Sequence, residues 1–155
     1  MEEFRTLAEQ SRILEIRCGS HLFGTDTSSS DLDLIGIFMP FPEMLLGLTW
    51  KAKEEVKFDI PAKDPSGRNT SDAVDRTLHE YRRFCRLALQ NNPNILHVLF
   101  VNHPNIRFIN SFGRNLVNNV DLFLHQGLYH RFIGYAQAQK HKMVIKRDHF
   151  YDLKV

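Results

Sequence analysis

Apolar and polar positions change their period along the chain, and those changes mark its elements. Residues 2–11 place Phe4, Leu7, Ala8 and Ser11 on one helical stripe, with Glu2 and Glu3 in the first turn. That spacing predicts a short amphipathic helix. Ile13 to Cys18 is short and rich in β-branched and apolar residues, which predicts a strand ended by Gly19. Ser20 then opens a turn and a short helix. Strand alternation over Asp31 to Phe38 puts Asp31, Asp33, Ile35 and Ile37 on one face. Leu32, Leu34, Gly36 and Phe38 share the other. Pro40 and Pro42 end the pairing, and Glu43 to Leu48 reads as a helical turn closed by Gly47. Val56, Phe58 and Ile60 alternate with Lys57 and Asp59, the pattern of a half-buried strand.

Residues 61–72 hold two prolines, a glycine and small polar residues, and read as a lid or hairpin tip. Ala73 to Glu80 alternates like a strand. Tyr81, Phe84, Cys85, Ala88 and Leu89 then form a helical stripe. Asn91 to Asn94 halts that helix and starts another, with Asn92 as cap and Pro93 at the first helical position. Ile95 to Phe100 is apolar except for His97, which reads as a histidine with a local partner. Arg107 to Asn118 and Leu122 to about Lys146 read as helices, the second interrupted by Gly127 and Gly134. Within it, Leu128 to Tyr135 mixes aromatics with cations. Stacking on a base and packing in a core are both open to such a segment.

The 155 residues suit one domain with a real core. No run of 18 apolar residues and no cationic start before an apolar stretch occurs, so neither a membrane span nor a signal peptide is expected. Two cysteines without a Cys-x-x-Cys point to a reducing, cytoplasmic compartment, with Cys18 as core filler. The eight histidines include no pair four apart, which argues against a zinc helix. Neither a P-loop string nor a Gly-x-Ser-x-Gly elbow is present. Residues 1–80 hold nine Lys/Arg against fifteen Asp/Glu, while residues 81–155 hold eleven against three. An acidic half to collect metals and a basic half to hold polyanions suit an enzyme that uses nucleotides, although basic residues also serve simply to solvate helix faces.

The chemistry concentrates in Gly19-Ser20 and Asp31-Leu32-Asp33. Backbone N–H groups at a turn opening a helix are suited to phosphate, and the Ser20 hydroxyl adds a donor. Carboxylates two apart on a strand stand about 6.6 Å apart along it. They can converge on two divalent cations about 3.5–4 Å apart, the arrangement of in-line phosphoryl transfer.

The string Gly-Ser-x3-Gly-Thr-x4-Ser-Asp-x-Asp-x2-Gly, Gly19 to Gly36, resembles the signature of the DNA polymerase beta-type nucleotidyltransferase superfamily. It is most similar to the predicted nucleotidyltransferase branch whose members accompany RNA ligases, and Glu80 to Phe100 resembles the same branch. The resemblance implies an α+β nucleotidyltransferase fold: a small mixed sheet, helices on one face and a helical C-terminal region. It divides the chain into a catalytic core, residues 1–100, and a helical region, residues 101–155, that longer relatives continue. It implies transfer of a nucleoside monophosphate from an NTP to an acceptor hydroxyl, an RNA 3′ end by preference, with release of pyrophosphate. Gly19, Ser20, Thr25 and Ser30 would bind the nucleotide. Asp31, Asp33 and a third carboxylate would bind two Mg²⁺, with Mn²⁺ as an alternative. Asp75 fits that third place best, Asp59 is the runner-up, and Asp72 reads as a turn residue. A protein acceptor, as in antitoxin-like relatives, and a non-catalytic nucleotide- or nucleic-acid-binding module are the alternatives. Arg131, Lys140, Lys142, Lys146 and Arg147 are the cations expected to meet RNA.

Overall fold

The computed structural model describes residues 2–46 and 53–152, with the backbone alone for residues 145–152. Gly47 and Leu48, expected to close a helical turn, lie outside the described residues. The amphipathic stripe at the N-terminus forms α1 (Glu2–Gln10), and the apolar run after it forms β1 (Arg12–Arg17). A short helix α2 (Gly19–Phe23) and a polar loop lead into β2 (Leu32–Phe38) and α3 (Pro42–Leu46). β3 (Glu55–Lys57) and β4 (Val74–Glu80) follow, then α4 (Tyr81–Leu89) and α5 (Pro93–Leu96). The chain closes with β5 (Ile106–Ile109), α6 (Ser111–Asn118) and the long α7 (Gly127–Asp152). This is an α+β architecture around one mixed sheet of five strands, ordered β3-β4-β2-β1-β5. β2 and β4 run parallel, and the other neighbours are antiparallel.

Helices cover both faces of the sheet, which corrects the expectation of helices on one face. Ile37 and Phe38 are adjacent in β2 and both fully buried, so they point to opposite sides. Ile37 joins Leu14 and Ile16 under Phe84 and Ala88 of α4 and Ile95 and Leu96 of α5. Phe38 joins Leu78 and Val56 under Phe4 and Ala8 of α1 and Met44 of α3. An amphipathic stripe states that a helix must be buried, not which side of a sheet will bury it.

The segment 106–118 brings a second correction. Its first part is an edge strand paired with β1, and only Ser111–Asn118 is helical. Asn110 separates the two, its side chain accepting from the Gly113 N–H as a helix cap. The expected cap at Asn92 is present, with its Oδ1 accepting from the Asn94 N–H at 3.0 Å. Glu80 caps α4 from a buried position, taking N–H groups of both Arg82 and Arg83. Residues 61–72 form a hairpin-like loop, bridged at Ile60–Val74 and Lys63–Asn69.

Gly36 sits between Glu15 of β1 and Leu78 of β4 in the sheet register. A Cβ there would stand 2.3 Å from Leu78 Cδ2 and 3.1 Å from the Leu14 carbonyl oxygen. Overpacking of this kind costs about 1–3 kcal/mol. Gly36→Ala is therefore expected to lower unfolding stability by about that amount in urea titration. Adding Leu78→Val is expected to recover part of the loss, and strictly additive losses would show that no such contact exists.

Candidate active site

β1 delivers the chain to Cys18, whose N–H donates to the Asp33 carbonyl at 3.0 Å. The chain then turns at Gly19 with φ of 60°, in the left-handed region that favours glycine. Space demands glycine here as well, because a Cβ would stand 2.0 Å from Asp33 Oδ2. The backbone of the Gly19-Ser20 turn is thus held directly against the second acid of the motif. Cys18 is buried beneath it, and its thiol is pushed up to about 12, first by burial and then by the Asp33 charge. Such a thiol is inert.

The acids converge from two strands. Asp33 lies in β2, Asp31 immediately precedes that strand, and Asp75 stands opposite Asp33 in the parallel register of β4. Asp31, Asp33 and Asp75 each offer an oxygen within 4.8 Å of the others. Asp31 and Asp33 are half-buried and Asp75 is exposed. The Asp33 carboxyl is held above the ordinary aspartate range by burial, then by the charges of Asp31 and Asp75, with His21 opposing.

Two side chains brace this arrangement. Asn69 reaches from the 61–72 loop and donates to Asp31 Oδ2 at 2.7 Å. His21 Nε2 lies 3.1 Å from the Asp31 carbonyl oxygen, and its Nδ1 lies 3.3 Å from the Asp26 carboxylate. Neither residue was singled out as a site residue in the sequence. Asn69 gave no signal, since an asparagine in a turn-rich segment is ordinary. His21 did follow the Gly-Ser turn directly.

The other candidate residues fall as follows. Ser20 is half-buried in the turn, its carbonyl accepting from the Thr25 N–H at 3.0 Å. The Thr25 hydroxyl turns to the same carbonyl at 3.5 Å, and Ser30 Oγ accepts from the Thr27 N–H at 2.9 Å. These contacts order the loop between α2 and β2. Asp59 does not join the acids; its Oδ1 accepts from the Arg76 N–H at 3.3 Å. Gly19 and Asp33 also form part of the wall of a cleft of about 730 Å³, continued by Phe23, Ile35, α5 and α7.

A donor set of three carboxylates is hard and anionic, which fits Mg²⁺ or Mn²⁺ rather than a thiophilic metal. A mixed α+β sheet holding a Gly-Ser turn against three convergent acids defines a protein of the polymerase beta type. A family model agrees over nearly the whole sequence: residues 1–154 match the RNA repair pathway DNA polymerase beta family, RlaP. The chain belongs to that family, a branch of the polymerase beta-type nucleotidyltransferases, and membership implies nucleotidyltransferase chemistry in general. It is also similar to an uncharacterized 38.9 kDa protein in the nrdC-mobD intergenic region of Enterobacteria phage T4. That match is 35% identical over 82 residues, 52% of this chain and 23% of the phage protein.

The raised Asp33 carboxyl has a consequence for stability. Above the ordinary aspartate range the folded chain keeps a proton that the unfolded chain has released. Stability therefore falls as pH rises through that window and levels off above the folded-state value. Asp33→Asn is expected to flatten this fall and raise the melting temperature of the metal-free protein at neutral pH. Millimolar Mg²⁺ or Mn²⁺ is expected to raise the wild-type melting temperature and to do less for the variant. Equal metal shifts in both proteins would remove Asp33 from the ligand set.

Proposed function

We propose that this protein is a metal-dependent nucleotidyltransferase with a polymerase beta-like fold. It moves a nucleoside monophosphate from an NTP to an acceptor hydroxyl, an RNA 3′ end by preference, and pyrophosphate leaves. The observation that supports this reading above all is the convergence of Asp31, Asp33 and Asp75 beside the Gly19-Ser20 turn, in a chain of this family. In the reaction an acceptor oxygen bonds to the α-phosphorus and the bond to the β-phosphate bridge breaks. Asp31, Asp33 and Asp75 hold two Mg²⁺, or Mn²⁺. Bound there, these ions supply neutralisation of the phosphoryl oxygens and a lower pKa for the acceptor hydroxyl. The Gly19-Ser20 backbone and the Ser20 hydroxyl orient the triphosphate, with Thr25 and Ser30 shaping the loop above it. Asp75, the exposed member, takes the acceptor side. Asn69 and His21 hold Asp31 in place.

Residues 1–100 carry the catalytic core in this reading. In residues 101–155, β5 and α6 pack against β1, whereas α7, expected to pack on the core, is exposed from Tyr129 to Val144 apart from Gln139. The second part supplies α7, on which Arg131, Lys140 and Lys142 are exposed. The side chains of Lys146 and Arg147 lie outside the described residues. No helix among the described residues is long and apolar enough to cross a membrane.

Labelled ATP with Mg²⁺ and total RNA tests the chemistry. Label is expected on RNA, released by treatment that removes a 3′-terminal nucleotide. Asp33→Asn and Asp75→Asn are each expected to lower the single-turnover rate by about two orders of magnitude or more, the scale of losing one preorganised electrostatic contact. Wild-type rates in the double variant Asp31→Asn, Asp33→Asn would end this reading. Label on a protein instead of RNA would reassign the acceptor, and bound but unreacted ATP would mark a nucleotide sensor.

Arg131 and Lys142 are eleven residues apart on α7 and so share a face. Replacing both by Gln is expected to reduce the salt slope of RNA binding by about 1.4, two phosphate contacts on a single strand. An unchanged slope would make them a solvated face.

A further inference from the structure

The cleft beside the acids has a character that triphosphate and metal binding do not explain. Its lining is mainly apolar, and it runs from Asp33 and Gly19 along α5 to α7. Four aromatic rings line it and stay partly open to solvent: Phe23 at 69%, Phe100 at 59%, Phe132 at 43% and Tyr135 at 39%. Rings gathered from three parts of the chain, with Phe132 and Tyr135 both on α7, and left unpacked on one cleft fit a flat, apolar ligand portion. A nucleobase is such a portion, and base–aromatic stacking is a sequence-tolerant contact to it.

One polar group in that wall lacks a partner. His97 Nδ1 lies 3.3 Å from the Pro93 carbonyl oxygen, which can only accept, so Nδ1 carries the proton. Nε2 is then a bare acceptor, screened from solvent and without a donor among the described residues. Burial lowers the tendency of the ring to take a second proton. The neighbouring Phe23 ring stands edge-on to the imidazole at 6.3 Å and is itself largely exposed, so this part of the wall opens to solvent. A buried acceptor without a donor is costly, and a ligand that brings a donor relieves that cost.

We infer that this cleft is an adenine pocket, in which the aromatic rings enclose the base and His97 Nε2 accepts a hydrogen bond from its exocyclic amino group. The inference rests on the nucleotidyltransferase reading and assigns that site its nucleotide. Adenine places an N–H donor where guanine places a carbonyl oxygen. Guanine would set two acceptors against each other and bury further polar edges in an apolar wall, the kind of mismatch that discriminates strongly. Adenine also has fewer polar edges than guanine, which suits the apolar lining of the cleft.

Equilibrium binding of the intact protein to Mg²⁺ complexes of ATP, GTP, CTP, UTP and purine riboside triphosphate tests it. The last ligand is ATP without the amino group. ATP is expected to bind tightest, and about fivefold tighter than purine riboside triphosphate, one hydrogen bond's worth. His97→Phe is expected to bring ATP and purine riboside triphosphate to equal affinity, and His97→Gln, which keeps an acceptor, to restore part of the difference. Equal wild-type affinity for those two ligands overturns the inference even if the variants do not fold. So does tighter binding of GTP, CTP or UTP than of ATP. Either result leaves the transfer reaction standing, whereas failure of every triphosphate to bind overturns both.

Discussion

Everything at the site depends on two strands distant in sequence lying parallel and in register. β2 and β4 pair from Leu32–Val74 to Phe38–Glu80 without a break, which sets Asp33 beside Asp75. A slip of one residue would send Asp75 to the opposite face, because side chains alternate. The register is clasped on the face away from the acids. Glu15 of β1 reaches across β2 to Arg76 of β4, with Oε2 2.6 Å from Nε and 2.5 Å from Nη2. Glu9 of α1 meets the same Nη2 at 2.6 Å, and Arg12 meets both Glu9 and Glu15 at 2.9 Å. Gly36 leaves the middle of this path free of a side chain. Glu15 is buried and Glu9, Arg12 and Arg76 are half-buried, so the group adds little net stability over apolar packing. Their service here is to fix one pairing of β2 with β4, and the carboxylate cluster follows from that pairing.

The cluster itself works against the fold. Three like charges share a small space, two of them half-buried, and the raised Asp33 carboxyl records the strain. A sheet stabilised on both faces tolerates it. Phe84 and Phe38, both fully buried, close the two cores above and below. The acids lie at the start of β2 and β4, whereas Ile35 and Ile37 continue the same face under the helices. One strand face thus serves solvent and cation at one end and core at the other.

Much of this was legible in the sequence, and the reasons are local. β1, α2 and β2 each announce themselves by composition over a few residues, and the motif from Gly19 to Gly36 fixes their order. Asn92-Pro93 marks a helix start by capping chemistry alone. What could not be read depends on distant partners. β5 has four residues, too few to show alternation against the helix that follows. The face chosen by α1 depends on the space above Phe38 and Leu78, to which its own stripe is blind. Asp75 and Asp59 looked alike, each in a strand-like run with apolar neighbours. Only the register separates their positions, placing Asp75 opposite Asp33 and turning Asp59 to the Arg76 N–H.

The same logic explains why Gly19 matters more than its size suggests. Asp33 belongs to the acid cluster and also lines the aromatic cleft, so it is the point at which the two regions meet. Gly19 lies directly against its carboxylate and lines that cleft too. A methyl group at Gly19 would strain a left-handed backbone and displace the Asp33 carboxylate at once. Displacing that carboxylate moves a cluster oxygen and one wall of the cleft together. The motif's first glycine is therefore a spatial requirement of its second aspartate, and the spacing between them is the sequence trace of a contact.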